Sequence, residues 1–141
     1  MPTRIAIFDD STDALRRYAE VFADTDCELL TLKSSVVTPD IRDGLVALQP
    51  NLIIVDLVMG ESRSDGYRLI RQIQGVPFKN GLPPIVVCSK LITESTMGQA
   101  ERAQALNEPG VKAAFGKFPD LPRAVEFLKV ATRSGAEGDA P

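Results

Sequence analysis

The stretch NLIIVDLVMG, residues 51–60, decides the fold. Four consecutive apolar residues, three of them β-branched, precede a single carboxylate, Asp56. Such a run is typical of a strand that is buried on both faces, in the middle of a parallel sheet. In open α/β sheets, ligands bind just beyond the carboxyl ends of the strands. The stretch therefore predicts a central strand with Asp56 at a position suited to chemistry.

The composition excludes several classes of function. A chain of 141 residues with a formal net charge of −3 and no basic run indicates one domain without a nucleic-acid surface. No apolar run approaches the ~18 residues of a membrane span, and no signal-peptide pattern is present, so we expect no membrane association. The absence of histidine excludes Ser-His-Asp and Cys-His catalysis and His-ligated zinc. Cys27 and Cys88 form no Cys-x-x-Cys pair, which favours a reduced, cytoplasmic location.

Five apolar segments alternate with helical patterns along the chain. The predicted strands cover residues 4–8, 27–32, 51–56, 85–89 and 111–116. The predicted helices begin at Ser11 or Thr12, at Thr38, and at residues 67, 93 and 121, and the last three end at residues 74, 107 and 133. We interpret residues 60–66 and 75–84 as loops and residues 134–141 as a flexible tail. This alternation predicts an α/β fold of the (βα)5 type, a doubly wound parallel sheet with helices on both faces.

Polar side chains stand at the carboxyl ends of four of these strands. They are Asp9, Asp10, Asp56, Ser89 and Lys117. Parallel strands share one carboxyl edge, so residues distant in sequence meet there. Three crowded carboxylates repel one another, and a hard cation such as Mg²⁺ relieves that repulsion. With an ammonium and a hydroxyl nearby, Asp56 is suited to act as a nucleophile that forms an aspartyl phosphate.

This constellation resembles the receiver domain of two-component response regulators. The resemblance rests on IAIFDD at the first strand, LIIVDL at the third, VVCS at the fourth and Lys117 after the fifth, and it extends over residues 3–133. It implies a flavodoxin-like sheet with strand order 2-1-3-4-5 and a receiver domain over residues 1–133. The resemblance also implies a role for each site residue. Asp56 would accept the phosphoryl group, Asp10 and Asp56 would ligate Mg²⁺ directly, Asp9 would act largely through water, Val58 would contribute its backbone carbonyl, and Ser89 and Lys117 would bind phosphoryl oxygens.

By this resemblance the chain is a phospho-acceptor of a two-component system or phosphorelay. Its phosphate would come from a histidine kinase or a histidine phosphotransfer protein. Output would be through contact with a downstream protein, or the domain would serve as a phosphate sink. It would not be an enzyme beyond self-catalysed phosphorylation and autodephosphorylation. Phe127 and Val130 lie off the inward stripe of the last helix, so either they reflect the helix end or they form an apolar partner surface, for example in a homodimer.

Several residues depart from the receiver pattern. Ala114 stands where receivers usually carry Tyr or Phe, and strand alternation sends the neighbouring Phe115 to the opposite face. Lys90 replaces a small residue after Ser89, and Phe118 intervenes between the lysine and Pro119. These changes leave the phosphate chemistry intact but put the usual conformational switch in doubt.

Two alternatives stay open. A receiver-like module that binds partners without phosphorylation would explain Ala114 and Phe118. A phosphatase of the haloacid dehalogenase type also uses an aspartate nucleophile at a strand end with Mg²⁺, but its motif needs Asp-x-Asp, whereas Asp9 and Asp10 are adjacent.

Overall fold

The computed structural model describes residues 3–23, 25–59, 62–117 and residue 126. The described strands are β1 (Thr3–Phe8), β2 (Cys27–Leu32), β3 (Leu52–Val55), β4 (Ile85–Ser89) and β5 (Val111–Gly116). The described helices are α1 (Thr12–Phe22), α2 (Pro39–Leu48), α3 (Arg63–Gln74) and α4 (Thr96–Leu106). All strand pairings are parallel, and the order in the sheet is β2-β1-β3-β4-β5. The predicted flavodoxin-like architecture is confirmed.

The register of the strands brings their carboxyl ends together. Phe8 of β1 lies beside Val55 of β3, and Val55 lies beside Val87 of β4. All four residues of β3 are buried, as expected for the central strand. The residues that follow β1 and β3, and the last residue of β4, therefore leave the sheet next to one another.

The sheet is covered on both faces, which gives two apolar cores. One face packs against α2, α3 and α4, and its buried residues include Leu45, Leu69 and Ile73. The other packs against α1 through residues that include Tyr18 and Phe22. Helices on both faces leave the strand ends as the open edge of the domain.

The helix boundaries differ from the prediction at α3 and α4. The side chain of Ser62 accepts a hydrogen bond from Ser64, so α3 begins at Arg63, whereas the sequence pattern placed a loop over residues 60–66. Ser95 caps α4 in the same way by accepting from Gly98, and that helix therefore begins at Thr96 and not at residue 93. In both cases a serine cap determines the start.

The predicted final helix over residues 121–133 lies outside the described residues, apart from Glu126, which is helical. The same holds for Phe118, Phe127, Val130, the proposed homodimer surface and the tail over residues 134–141. Within the described part of the chain, no helix is both long enough and apolar enough to span a membrane.

Tyr18 offers a direct test of the packing on the α1 face. Its side chain is fully buried, and among the described residues its hydroxyl makes no hydrogen bond, although the Cys88 thiol lies near enough to influence its pKa. Burial raises the pKa of the Tyr18 hydroxyl well above its usual value, and that of the Cys88 thiol to about 12, so both groups stay protonated.

We expect Tyr18→Phe to leave the free energy of unfolding unchanged or to raise it by up to about 1 kcal/mol, because an unsatisfied buried hydroxyl is costly. Urea unfolding followed by circular dichroism measures this. A loss of stability would show that the hydroxyl has a hydrogen-bond partner, for which the Cys88 thiol is the candidate.

Candidate functional site

Three carboxylates form the centre of the site. Asp9 and Asp56 follow β1 and β3, and both are buried, whereas Asp10 is exposed. Backbone hydrogen bonds tie the two buried acids to neighbouring strands, since Asp9 N donates to Leu32 O and Asp56 N donates to Phe8 O. One oxygen from each of the three carboxylates lies within 4.8 Å of the others. The structure therefore brings together the acids that the sequence placed at one edge.

Lys117, which follows β5, lies against two of these carboxylates. Its Nζ lies 2.8 Å from Asp9 Oδ2 and 3.0 Å from Asp56 Oδ2. The lysine is only 5% exposed, and its backbone N donates to the carbonyl of Ser89, which fixes the end of β5 against β4. A lysine taken alone would be expected to lie in solvent. Here it is a buried cation that bridges two buried anions.

Burial and charge act in opposite directions on these groups. Burial raises the pKa of Asp56 above its usual value, and the positive charge of Lys117 opposes that rise without cancelling it. Burial alone would lower the pKa of Lys117, but its hydrogen bond to Asp9 and the charges of Asp56 and Asp9 outweigh this and raise the pKa. Lys117 therefore remains a cation at neutral pH.

Ser89 closes the site at the end of β4 and is fully buried. Its Oγ accepts a hydrogen bond from Leu91 N at 3.2 Å, and its carbonyl accepts from both Ile92 N and Lys117 N. The hydroxyl is thus held in the loop between β4 and α4 and still carries its own hydrogen as a donor. Ser89 thus connects the end of β4 with the end of β5 and with the loop that leads to α4.

Asp56 also holds the loop after β3, and Asp9 holds the loop after β1 in the same way. Val58 N donates to Asp56 Oδ1 at 3.3 Å, and Ser11 N donates to Asp9 Oδ1 at 2.9 Å. Hydrogen bonds of this kind favour the charged carboxylate. Each buried acid therefore presents one oxygen to a backbone N–H and the other to Lys117.

The donor set fits a magnesium ion. Carboxylate oxygens are the ligands that Mg²⁺ prefers, and it is usually bound through one or two carboxylates with its remaining positions open to water or phosphate. Asp9, Asp10 and Asp56 offer such oxygens close together, with one of the three side chains exposed. The cluster matches this requirement without any nitrogen or sulfur ligand.

Comparison with known proteins supports the architecture. No protein-family model matches the sequence, and no curated protein does. Among solved structures, a CheY-like response regulator receiver domain protein from Methanospirillum hungatei matches with a TM-score of 0.69 at 15% identity, covering 98% of this chain and 99% of its own. The chain has the receiver-domain fold. At such identity the likeness establishes the fold, and the chemistry must be argued from the site.

Two further solved structures have the same fold and were determined in different bound states. The BeF3-activated N-terminal receiver domain of RstA from Klebsiella pneumoniae has a TM-score of 0.68 at 17% identity, covering 93% of this chain and 99% of its own. The Mn²⁺-bound form of the response regulator Rcp1 has a TM-score of 0.59 at 21% identity, covering 92% of this chain and 91% of its own. The whole receiver fold is thus shared with structures crystallised in different states.

The departures from the receiver pattern lie close to this site. Ala114 is buried in the core under α3 and α4, whereas Phe115 packs against the core on the α1 face, as strand alternation predicted. Lys90 is exposed next to Ser89. No aromatic side chain of β5 therefore reaches the face on which α4 packs.

One buried polar contact was missed from the sequence. Tyr67 Oη of α3 donates to Glu101 Oε2 of α4 at 2.8 Å, and both side chains are buried. The spacing of Gly98, Glu101 and Ala105 contained a signal, because the only acid of α4 shares one helical face with two small residues. A charged residue on that face needs a hydrogen-bonding partner.

Proposed function

We propose that the chain is a phospho-acceptor module of a two-component or phosphorelay system, acting in the cytoplasm, with Asp56 as the acceptor. The observation that carries the proposal is the buried bridge of Lys117 between Asp9 and Asp56, at 2.8 and 3.0 Å. A buried lysine on two acids at a strand edge is costly as mere scaffolding, because each ion loses its hydration. The cost is understandable where charge must be balanced during phosphoryl transfer.

In this proposal Asp9, Asp10 and Asp56, with the backbone carbonyl of Val58, hold Mg²⁺. The ion would neutralise charge on the phosphoryl oxygens when bound. The cluster of three carboxylate oxygens supports this assignment.

The chemical step uses residues of the chain itself. A carboxylate oxygen of Asp56 forms a bond to phosphorus while the bond from phosphorus to the donor breaks, and the leaving group takes the electron pair. Lys117 would exchange part of its contact with Asp56 for a phosphoryl oxygen, and Ser89 would donate its hydroxyl hydrogen to another. Positioning and charge neutralisation are what phosphoryl transfer mainly requires.

In this proposal the phosphoryl group comes from a phosphohistidine outside these 141 residues. The chain contains no histidine, so a phosphohistidine donor would be a histidine kinase or a histidine phosphotransfer protein. The phosphorylated domain would then act through contacts with a downstream protein or as a phosphate sink. We propose no enzymatic turnover beyond its own phosphorylation and dephosphorylation.

Acetyl phosphate with Mg²⁺, read by intact mass, tests the proposal. The wild-type chain should gain one phosphoryl group, and omission of Mg²⁺ should reduce the yield strongly because the charge on the phosphoryl oxygens is then unbalanced. Asp56→Asn should gain none, while Asp65→Asn, a matched substitution on α3, should behave as wild type. Labelling of Asp56→Asn would contradict the assignment of the acceptor.

A phosphorylation-independent interaction module is the second candidate. It is favoured by Ala114, which leaves the face under α4 without an aromatic side chain from β5. The same measurement separates the two, because a wild-type chain that folds but gains no phosphoryl group would support the second candidate.

A further inference from the structure

Helix α4 has few residues with which to hold its position. Its buried residues are Gly98, Glu101 and Ala105, which provide little apolar area. Helices in proteins are normally held by a broad apolar stripe. For α4, individual polar contacts must therefore determine where the helix lies.

One such contact is made to α3. Tyr67 Oη donates to Glu101 Oε2 at 2.8 Å, with exposed fractions of 5% for the tyrosine and 8% for the glutamate. Hydrogen bonds to charged groups are stronger than neutral ones, and removal of this donor takes one hydrogen bond from a buried carboxylate. We call this contact the α3–α4 hydrogen bond.

Helix α4 also packs along β5. Arg102 Nε donates to the carbonyl of Ala114 at 3.1 Å. Beside it lies a cavity of about 80 Å³, whose lining includes Ile92, Thr93, Arg102, Ala114 and Phe115.

A short chain of contacts connects Tyr67 to the acceptor aspartate. Asp56 Oδ1 accepts from Val58 N, and Leu57 O accepts from Gly66 N at 3.0 Å. A Cβ on Gly66 would lie 2.3 Å from the backbone of Leu57, so α3 begins in tight contact with the residue after Asp56. Tyr67 is the next residue of α3.

We propose that the α3–α4 hydrogen bond transmits a change at Asp56 to α4, by way of Leu57, Gly66 and Tyr67. In this arrangement Tyr67 and Glu101 are positioning residues that link the loop after β3 to α4. The inference rests on the proposed phosphorylation of Asp56.

Hydrogen exchange of the full-length chain tests whether the α3–α4 hydrogen bond stabilises α4. In Tyr67→Phe, amides of residues 96–106 should exchange at least about fivefold faster than in wild type, since a charged hydrogen bond is lost. Glu101→Gln keeps an acceptor of the same size and should accelerate exchange less. Tyr18→Phe, the matched control, should leave α4 unchanged because Tyr18 lies on the other face. Equal exchange of α4 in wild type and Tyr67→Phe would overturn the inference.

Addition of beryllofluoride with Mg²⁺ tests whether a change at Asp56 reaches α4 through Tyr67. The wild type should change its exchange over residues 91–106, whereas Tyr67→Phe should lose that change over residues 96–106 and still gain a phosphoryl group from acetyl phosphate. If Tyr67→Phe unfolds, Glu101→Gln decides the question, because it keeps an acceptor but removes the charge: a reduced response of α4 supports the inference, and a full wild-type response overturns it. A wild type that is phosphorylated without any change in α4 would overturn the inference alone, and a wild type that gains no phosphoryl group would overturn the proposed function.

Discussion

Replacement of Lys117 by methionine is expected to lower the free energy of unfolding by about 3–5 kcal/mol in metal-free buffer, the range for breaking a buried ion pair by removing one partner. Methionine keeps most of the length and apolar stem of lysine and removes the charge. Asp9 and Asp56 would then face each other as buried carboxylates without the ammonium that now lies 2.8 and 3.0 Å from them. Urea unfolding with EDTA measures the loss.

Lys112→Met provides the matched control for this variant. Lys112 belongs to the same strand but is exposed, so its replacement should change the free energy of unfolding by no more than about 0.5 kcal/mol. Similar losses in the two variants would show that the charge of Lys117 has no special role.

Divalent cations should distinguish electrostatic from packing effects in Lys117→Met. Because the two carboxylates repel without the ammonium, millimolar Mg²⁺ should stabilise the variant more than it stabilises wild type. A stability loss that Mg²⁺ leaves untouched would indicate a packing defect instead.

The loss in Lys117→Met should also depend on pH. Burial already raises the pKa of Asp56 in the folded protein, and removal of Lys117 removes the charge that opposes this rise. A carboxyl whose folded pKa is raised destabilises the folded state above its unfolded pKa, and this cost disappears as the pH falls and the group becomes protonated. The difference between variant and wild type should therefore narrow from pH 7 toward pH 4 in urea unfolding. A difference that widens on acidification would contradict this account.

The strand pattern was predictable because β3 and β4 are uninterrupted apolar runs. Leu52–Val55 reads as a buried strand that is followed by Asp56, and Ile85–Ser89 reads as a buried strand that ends on Ser89 itself. The topology then brings Asp9, Asp56 and Ser89 to one edge without further information. These residues lie together because of the geometry of a parallel sheet, and the hydrophobic pattern of the sequence predicts its strands well.

The close approach of α3 and α4 to neighbouring loops could not be predicted in the same way. Gly66 and Gly98 read as a loop residue and a weak point of a helix, but both lie inside helices that press against other backbone. A Cβ on Gly98 would lie 2.2 Å from Thr93 Oγ1, so close approach and not flexibility explains the residue. Such contacts depend on three-dimensional packing, which helical propensity does not predict.

Gly66→Ala is expected to have the second large effect, a loss of about 3 kcal/mol in the free energy of unfolding, at the upper end of typical overpacking costs. The added Cβ would lie 2.3 Å from both Cα and O of Leu57. These are backbone atoms next to Asp56, so no side-chain rotation can relieve the clash. Either α3 shifts or the loop after β3 does, and the hydrogen bond from Gly66 N to Leu57 O is strained in both cases.

Gly44→Ala is the control, because it makes the same change in a helix where space is available. Gly44 lies inside α2, and a Cβ there would meet nothing within 4 Å. Alanine is the better helix former, so this variant should gain about 0.5–1 kcal/mol. Urea unfolding of both variants should therefore give changes of opposite sign. If Gly66→Ala also proved neutral or stabilising, α3 could move away from Leu57 without cost. The contact between α3 and the loop after β3 would then not be tight.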